Sequence, residues 1–412
     1  MESQRTQEEP RRALVKVKKA ARKPGFDVAL FGATGFTGQL TAEYLARRAG
    51  PKPRWAIAGR NLRKLEVLRD KLARLDPAYA EIPMMHADTS DPESMRALAR
   101  STRVVISAVG PYIRYGEPLV AACAEIGTDY VDLTGEPEFV DRMWMRYHEQ
   151  ARASGARIVN CCGFDSIPHD LGAYYTVMQL PEGVPIKIEA YVRAAGKLSG
   201  GTLSTAAIAM SRWREYARLR AEREREEGRP VDRRISRLNG GVRYDKRLQS
   251  WVLPVPTIDP LVVLRSAAAD ERYGSAFHYG HYLQLKNLPM LAGVVGGMGA
   301  LALASQIAPV RRRIVALGNR GVGPSEAERA EGWFSVRFAG CGGGQKVYTE
   351  VSGGDPGYGE TAKMLAESAL SLAFDRLPAR PGVQTPAHAM GEPLIKRLQS
   401  AGIQFKTIES FL

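Results

Sequence analysis

Phe26-Asp27-Val28-Ala29-Leu30-Phe31-Gly32-Ala33-Thr34-Gly35-Phe36-Thr37-Gly38 is the stretch from which the fold is read. Five of its first six residues are apolar, the mark of a buried strand. Glycines follow at 32, 35 and 38, and Leu40, Tyr44 and Leu45 then recur at helical spacing. A dinucleotide pyrophosphate needs this order. One glycine makes the tight turn, another lets backbone N–H groups approach the phosphates, and a third lets the helix pack on the strand with its positive end facing the anion. Three glycines alone say little. Strand, glycines and helix in succession point to dinucleotide binding, with Gly32, Ala33, Thr34, Gly35, Phe36, Thr37 and Gly38 as the cradle. The competing reading is a glycine-rich turn in an α/β protein that binds nothing.

The second strand selects the nucleotide. Arg54-Trp55-Ala56-Ile57-Ala58 is a short apolar run ending in Gly59-Arg60-Asn61. NAD sites place Asp or Glu at this strand end to bind the ribose 2′-hydroxyl. Here Arg60 stands there instead, with Asn61 beside it and Arg63 and Lys64 one helical turn on. A guanidinium fork suits a 2′-phosphate, so the sequence reads as binding NADPH rather than NADH.

Strand and helix patterns then alternate. Leu62–Leu75 carries Leu62, Leu65, Leu68 and Leu72 on one stripe, and residues 83–88, 104–109, 130–133 and 157–162 read as strands between helices at 91–99, 117–126 and 139–154. This predicts an α/β protein with a Rossmann-type doubly wound parallel sheet whose strands end along one ligand edge. That edge adds Lys64, Asp88 near the adenine, and Ala108, Val109, Gly110 and Pro111 near the nicotinamide-side ribose. It also carries Tyr112, residues 134–136 and Gly163-Phe164-Asp165-Ser166. From about residue 186 the pattern changes. An alternating strand at 184–192, a glycine-rich turn, a small-residue helix at 202–210, an Arg/Glu-dense exposed stretch at 212–237, a hairpin around Gly342-Gly343-Gly344 and the helix Gly359–Phe374 predict a second, α+β substrate domain. The expected divisions are a basic flexible tail at 1–24, the NADP-binding domain at 25–175, the substrate domain at 176–378, and a C-terminal helical part at 379–412 that returns to the first domain.

The chain has 412 residues and a net charge of +14, which suits an acidic protein partner or an anionic membrane surface. Neither zinc-finger spacing nor an RNA-binding motif accompanies that charge, so nucleic acid is not an expected partner. Four cysteines give no disulfide framework, and adjacent Cys161-Cys162 reads as core rather than metal ligands. The N-terminus lacks the apolar core of a secretory signal. The expected location is cytoplasmic, with peripheral membrane association as an extension of it. Residues 288–309 carry no charge, include Gly293, Gly296, Gly297 and Gly299, and are followed by Arg311-Arg312-Arg313. Three readings stay open: a buried Gly/Ala helix, a membrane-dipping helix and a membrane span.

GATGFTG at 32–38, AGR at 58–60, SAVGPYIRYGEPLVAACAEIGTDYVDLTGE at 107–136, CCGFDSIPHDLG at 161–172 and QTPAHAMGEPLIKRL at 384–398 resemble the saccharopine-dehydrogenase-like oxidoreductases, and within them the mycobacterial trans-acting enoyl reductases. The resemblance implies an NADPH-dependent reductase acting on a carbon–carbon double bond of a polyketide or long-chain lipid precursor. It further implies an acyl chain presented on a carrier domain, which would be acidic, and association with membrane or lipid. Enoyl reduction needs the chain held near the nicotinamide, an oxyanion stabilised and a proton supplied. Tyr112 and Tyr115 after the fourth strand, and His169 after the sixth, are the candidate catalytic groups. Asp165 and Ser166 read as a helix start. Two alternatives stand beside this: an NADPH-binding, lipid-associated protein without turnover, and a saccharopine-type imine reductase. The latter would need a convergent arginine set for the carboxylates of its substrate. The sequence does not give the oligomeric state.

Overall fold

The computed structural model describes residues 23–48, 53–196, 200–228, 230, 232–318 and 323–411. The basic tail expected over 1–24 lies outside these, save its last two residues. Strands β1 (Phe26–Phe31), β2 (Trp55–Gly59), β3 (Met84–His86), β4 (Thr102–Ser107), β5 (Asp129–Asp132) and β6 (Arg157–Val159) alternate with helices. They lie parallel, in the order β6-β5-β4-β1-β2-β3. In β1, Val28 sits between Trp55 and Val104, and Val28, Ala29 and Leu30 are fully buried. A central parallel strand covered on both faces needs such a continuous apolar run rather than alternation.

A second sheet contains β7 (Ile186–Ala195), β8 (Arg234–Arg237), β9 (Arg243–Asp245), β10 (Ser250–Pro254), β11 (Ala276–Leu285), β12 (Trp333–Gly342) and β13 (Gln345–Gly353). Two late strands, β14 (Gly382–Gln384) and β15 (Gln404–Ile408), follow. The second sheet runs β15-β13-β12-β7-β11-β10-β9, with β8 also paired to β11. It is mixed, since β7 and β8 run parallel to β11 and the other pairs are antiparallel. The expected hairpin is therefore present as β12 and β13, turning through Gly343 and Gly344 at positive φ.

The two sheets are stitched together by the C-terminal third. β14 pairs with β6 and extends the first sheet, whereas β15 pairs with β13 in the second. The helix Gly359–Phe374 packs on β1, β4, β5 and the helix Phe36–Arg47, so a segment read from sequence as part of the substrate domain covers the first sheet. Its buried Glu367 accepts hydrogen bonds from Tyr44 Oη at 2.6 Å, from Arg48 and from Arg397.

Two further expectations change. The Arg/Glu-dense stretch is not wholly solvated. On its helix Trp213–Glu227, Arg223 is buried against the Trp144 ring and bonds Asp141 at 2.8 Å; Arg265 contacts the same carboxylate. The apolar stretch at 288–309 forms the helix Leu288–Gln306, and only Leu291 and Ser305 on it are buried. The reading of it as a buried Gly/Ala helix therefore fails, because protein does not surround it.

Candidate active site

The C-terminal ends of β1 to β6 meet the second sheet across a cleft of about 900 Å³. Its floor is the loop after β1. Gly32 takes φ +82°, and a Cβ there would stand 2.6 Å from Val109 Cγ2. A Cβ on Gly38 would stand 2.1 Å from the Gly32 carbonyl oxygen, so this glycine is what lets the helix Phe36–Arg47 seat on its own loop. No side chain caps that helix, and its first turn holds no carboxylate. Its exposed backbone donors thus face the cleft as an anion site.

Of the residues expected around the nucleotide, Gly32, Thr34, Gly35, Phe36, Thr37, Arg60, Lys64, Asp88, Ala108, Val109, Gly110 and Pro111 line the cleft. Ala33 is buried behind the loop, Gly38 lies in the helix–loop contact, and Asn61 caps the next helix by accepting Lys64 N–H at 3.0 Å. These three shape the site without lining it. Asp88 accepts from the backbone and hydroxyl of Ser90, which with nearby Arg60 holds its carboxyl below the usual range. The arrangement fits a 2′-phosphorylated dinucleotide: an uncapped helix end over the glycines, and two cations with one ionised acid at the β2 and β3 ends.

The candidate catalytic groups separate. Tyr115 lines the cleft and is 42% exposed. The Tyr112 ring edges the cleft, but its hydroxyl turns into the core and donates to Ser107 O at 2.9 Å. His169 lies outside the cleft wall, behind Phe164, whose ring meets it edge-on at 5.7 Å. It belongs instead to a buried group centred on Asp259, with His169 Nε2 3.8 Å and His281 Nε2 3.5 Å from the carboxylate. Burial raises Asp259 and lowers His169 and His281, the last to about 3, so each is pushed toward its uncharged form.

Two groups on the expected ligand edge have roles that sequence reasoning did not assign. Glu136 caps the turn Tyr112–Tyr115, accepting the N–H groups of Tyr112 and Ile113 at 2.8 Å each, and so fixes Tyr115 in the wall. Asp165 does not cap the helix Ile167–Val177, whose N-cap is Ser166. It lines the cleft, and burial pushes its carboxyl up to about 6. Nearby Asp132 gathers Tyr130 Oη, Asn160 Nδ2 and the N–H groups of Thr134 and Cys161, tying the β5 and β6 ends together. The far wall comes from the second domain. It holds Ala194, Ala195, Gly201, Thr202, Thr205, Leu283 and Tyr358, and Tyr358 meets Phe36 edge-on at 4.8 Å. Among the described residues, the only cations lining the cleft are Arg60 and Lys64, both at the nucleotide end.

Comparison with known proteins agrees with this geometry. Residues 28–159 match the saccharopine dehydrogenase NADP binding domain family. The chain is 38% identical to a Mycobacterium tuberculosis protein provisionally named a trans-acting enoyl reductase, over 93% of this chain and 97% of that one. It is 36% identical, with the same coverage, to a trans-acting enoyl reductase of the same species. Among solved structures, saccharopine dehydrogenase (L-Glu forming) from Saccharomyces cerevisiae aligns with a TM-score of 0.56, covering 93% of this chain and all of that one at 13% identity. That likeness is one of fold.

Proposed function

The chain belongs to the saccharopine-dehydrogenase-like, NADP-dependent oxidoreductases together with the trans-acting enoyl reductases, and we propose that it reduces the carbon–carbon double bond of an enoyl thioester on a polyketide or long-chain lipid precursor. The observation that carries this reading is the chemistry of the cleft wall. Beyond the nucleotide end it offers apolar and hydroxylated side chains, the carboxyls of Asp165 and Glu136, and no described cation. A substrate bearing several carboxylates, as a saccharopine-type imine reduction requires, would find no partners there. An acyl chain would.

The glycine loop, Arg60 and Lys64 would hold NADPH, which when bound would supply the hydride. The protein's own groups do the rest. Tyr115 and Thr205 line the cleft, and their hydroxyls can donate to the thioester oxygen as negative charge develops on it. Asp165, its carboxyl raised toward neutrality, can carry the proton destined for the α-carbon. Glu136 and Asp132 position these groups without touching substrate. The partner surfaces belong to the same proposal: an acidic carrier domain steered by the net charge of +14, and a membrane surface from which a long chain is drawn.

The test is oxidation of NADPH by a series of enoyl thioesters, with an amino-acid and keto-acid pair as the imine-forming control. Turnover of the thioester, lowered at least tenfold in Tyr115→Phe or Asp165→Asn with NADPH affinity kept, is the expected result. Turnover of the imine pair alone would transfer the chain to the other chemistry. NADPH binding with no turnover of either would favour a binding protein.

A further inference from the structure

The helix Leu288–Gln306 is the described helix whose length and composition would allow it to cross a membrane. At about 1.5 Å per residue it is close to 28 Å long. It is apolar all round, yet Leu303 is 74%, Met290 52% and Val295 47% exposed. A Cβ added at Gly293, Gly296, Gly297 or Gly299 would meet nothing within 4 Å. A helix without a polar face is stable only when an apolar medium covers it.

Both ends are tied to the same globular body. Near the start, Leu291 and Val294 pack on Leu253, Leu285 and Trp251. At the end, Gln306 Nε2 donates to Met210 O at 3.0 Å, and the chain turns into the helix Ala308–Gly318. That second helix and the first both pack on the helix Gly200–Ser211, where Ser204 Oγ donates to Val315 O at 3.4 Å. A helix tethered at both ends to one face cannot stand across a bilayer, so the spanning reading is excluded. Charge identifies what covers it. No Asp or Glu occurs between Glu271 and Glu326, while Lys286, Arg312 and Arg313 stand exposed beside the apolar surface. Arg311 is engaged on Ser305 O at 2.7 Å.

We infer that the hairpin 288–318 is an interfacial anchor that lies in the plane of an anionic membrane and sets the cleft beside its acyl layer. The helix Gly200–Ser211 is the single layer between them. Gly201, Thr202, Ser204 and Thr205 line the cleft, and the hairpin packs on the same helix. Delivery of substrate along this helix rests on the acyl-reductase reading; membrane binding does not.

The experiment is vesicle flotation of the full chain on phosphatidylcholine alone and on mixtures with phosphatidylglycerol. The chain should float with the anionic vesicles. Arg312→Gln/Arg313→Gln should lose roughly 25-fold in affinity for them, about fivefold per cation near a charged surface. Met290→Glu/Val295→Glu/Leu303→Glu should abolish flotation while binding NADPH as the parent does, which shows that the exposed substitutions leave the fold intact. That triple variant should also turn over a short soluble enoyl thioester normally and lose turnover of a long chain presented in vesicles. Absence of reductase activity in every variant would overturn the proposed reaction and leave the anchor standing. Flotation of the triple variant like the parent, or a parent that stays in the aqueous fraction, would overturn the anchor. So would a lipid-free dimer that the triple variant dissociates, since a second copy would then be the cover.

Discussion

Alanine placed at each of the three loop glycines in turn should give three different outcomes, because the three sites differ in what a methyl group would meet. In Gly38→Ala the new carbon would lie 2.1 Å from Gly32 O, 2.9 Å from Gly32 C and 3.0 Å from Ala33 Cα. All three are backbone atoms, so no rotamer change relieves the clash and the helix Phe36–Arg47 must lift from its loop. Forced expansion of a packed site costs about 3 kcal/mol at its upper range, a fall in melting midpoint of roughly 3–4 °C for a chain of this length. In Gly32→Ala the nearest atom is the Val109 Cγ2 methyl at 2.6 Å, which can rotate, but φ of +82° remains. The left-handed backbone then costs about 1–2 kcal/mol. In Gly35→Ala the nearest atom is Gly32 O at 3.4 Å, an ordinary contact. Stability should stay within about 0.5 kcal/mol of the parent, yet the methyl would project where the pyrophosphate must approach, and NADPH affinity should fall at least tenfold. Thermal melts without nucleotide and fluorescence titration with NADPH separate the two effects. A Gly38→Ala protein that melts with the parent, or a Gly35→Ala protein that binds NADPH unchanged, would refute the assignment of roles within the loop.

Arg60→Ala should weaken NADPH roughly 10- to 100-fold and leave NADH unchanged, since only the former carries the phosphate that a charge-assisted bond would hold; equal losses for both would mean that Arg60 does not read the 2′ position. Asp165 titrates near 6 in the folded chain, against about 4 when unfolded. Between those values the folded state binds more protons, so stability falls as pH rises through the window, and the cost is complete above about pH 6. Asp165→Asn should therefore melt with the parent near pH 4 and exceed it by about 1 kcal/mol at neutral pH, a deliberately reduced figure because the carboxyl borders solvent; identical curves would remove Asp165 from the list of perturbed groups. Arg223→Met takes one of two guanidinium partners from buried Asp141 and should lower unfolding free energy by roughly 3 kcal/mol. Adding Asp141→Asn should restore part of it, and denaturant midpoints of the two variants decide the point.

The first sheet was legible because its signals are local. β1, the helix Leu62–Leu75 and the helix Glu117–Ile126 stand at the residues where periodicity put them. Twelve of the fifteen expected nucleotide residues face one cleft, because a strand end and the turn after it are neighbours in sequence as well as in space. Arg157–Val159 is shorter than the apolar run suggested. Asn160 and Cys161 leave the strand to bond Asp132, and Cys161 takes φ +65°. Legibility ended where partners are distant in sequence. His169 was placed on the ligand edge by position alone, whereas Asp259 and His281, which hold it in the core, come from the helix Asp259–Ala269 and from β11, both far along the chain from it. Asp165 looked like a helix cap, since Asp before Ser and Pro is a common start. What exposes it to the cleft is the loop 134–136 opposite, where a Cβ on Gly135 would stand 2.9 Å from its Oδ2.

The stitching of the first sheet by the last fifth of the chain has a consequence for how the protein is made. A ribosome delivers β1 to β6 first, and domains that close on themselves fold as they emerge. Here the edge strand Gly382–Gln384 and the covering helix Gly359–Phe374 are synthesised only near the end of translation. Until then the apolar face of β1, β4 and β5 that this helix covers lacks its cover. A chain cut short before residue 359 would therefore lack both the edge strand and the helix that complete its nucleotide-binding sheet.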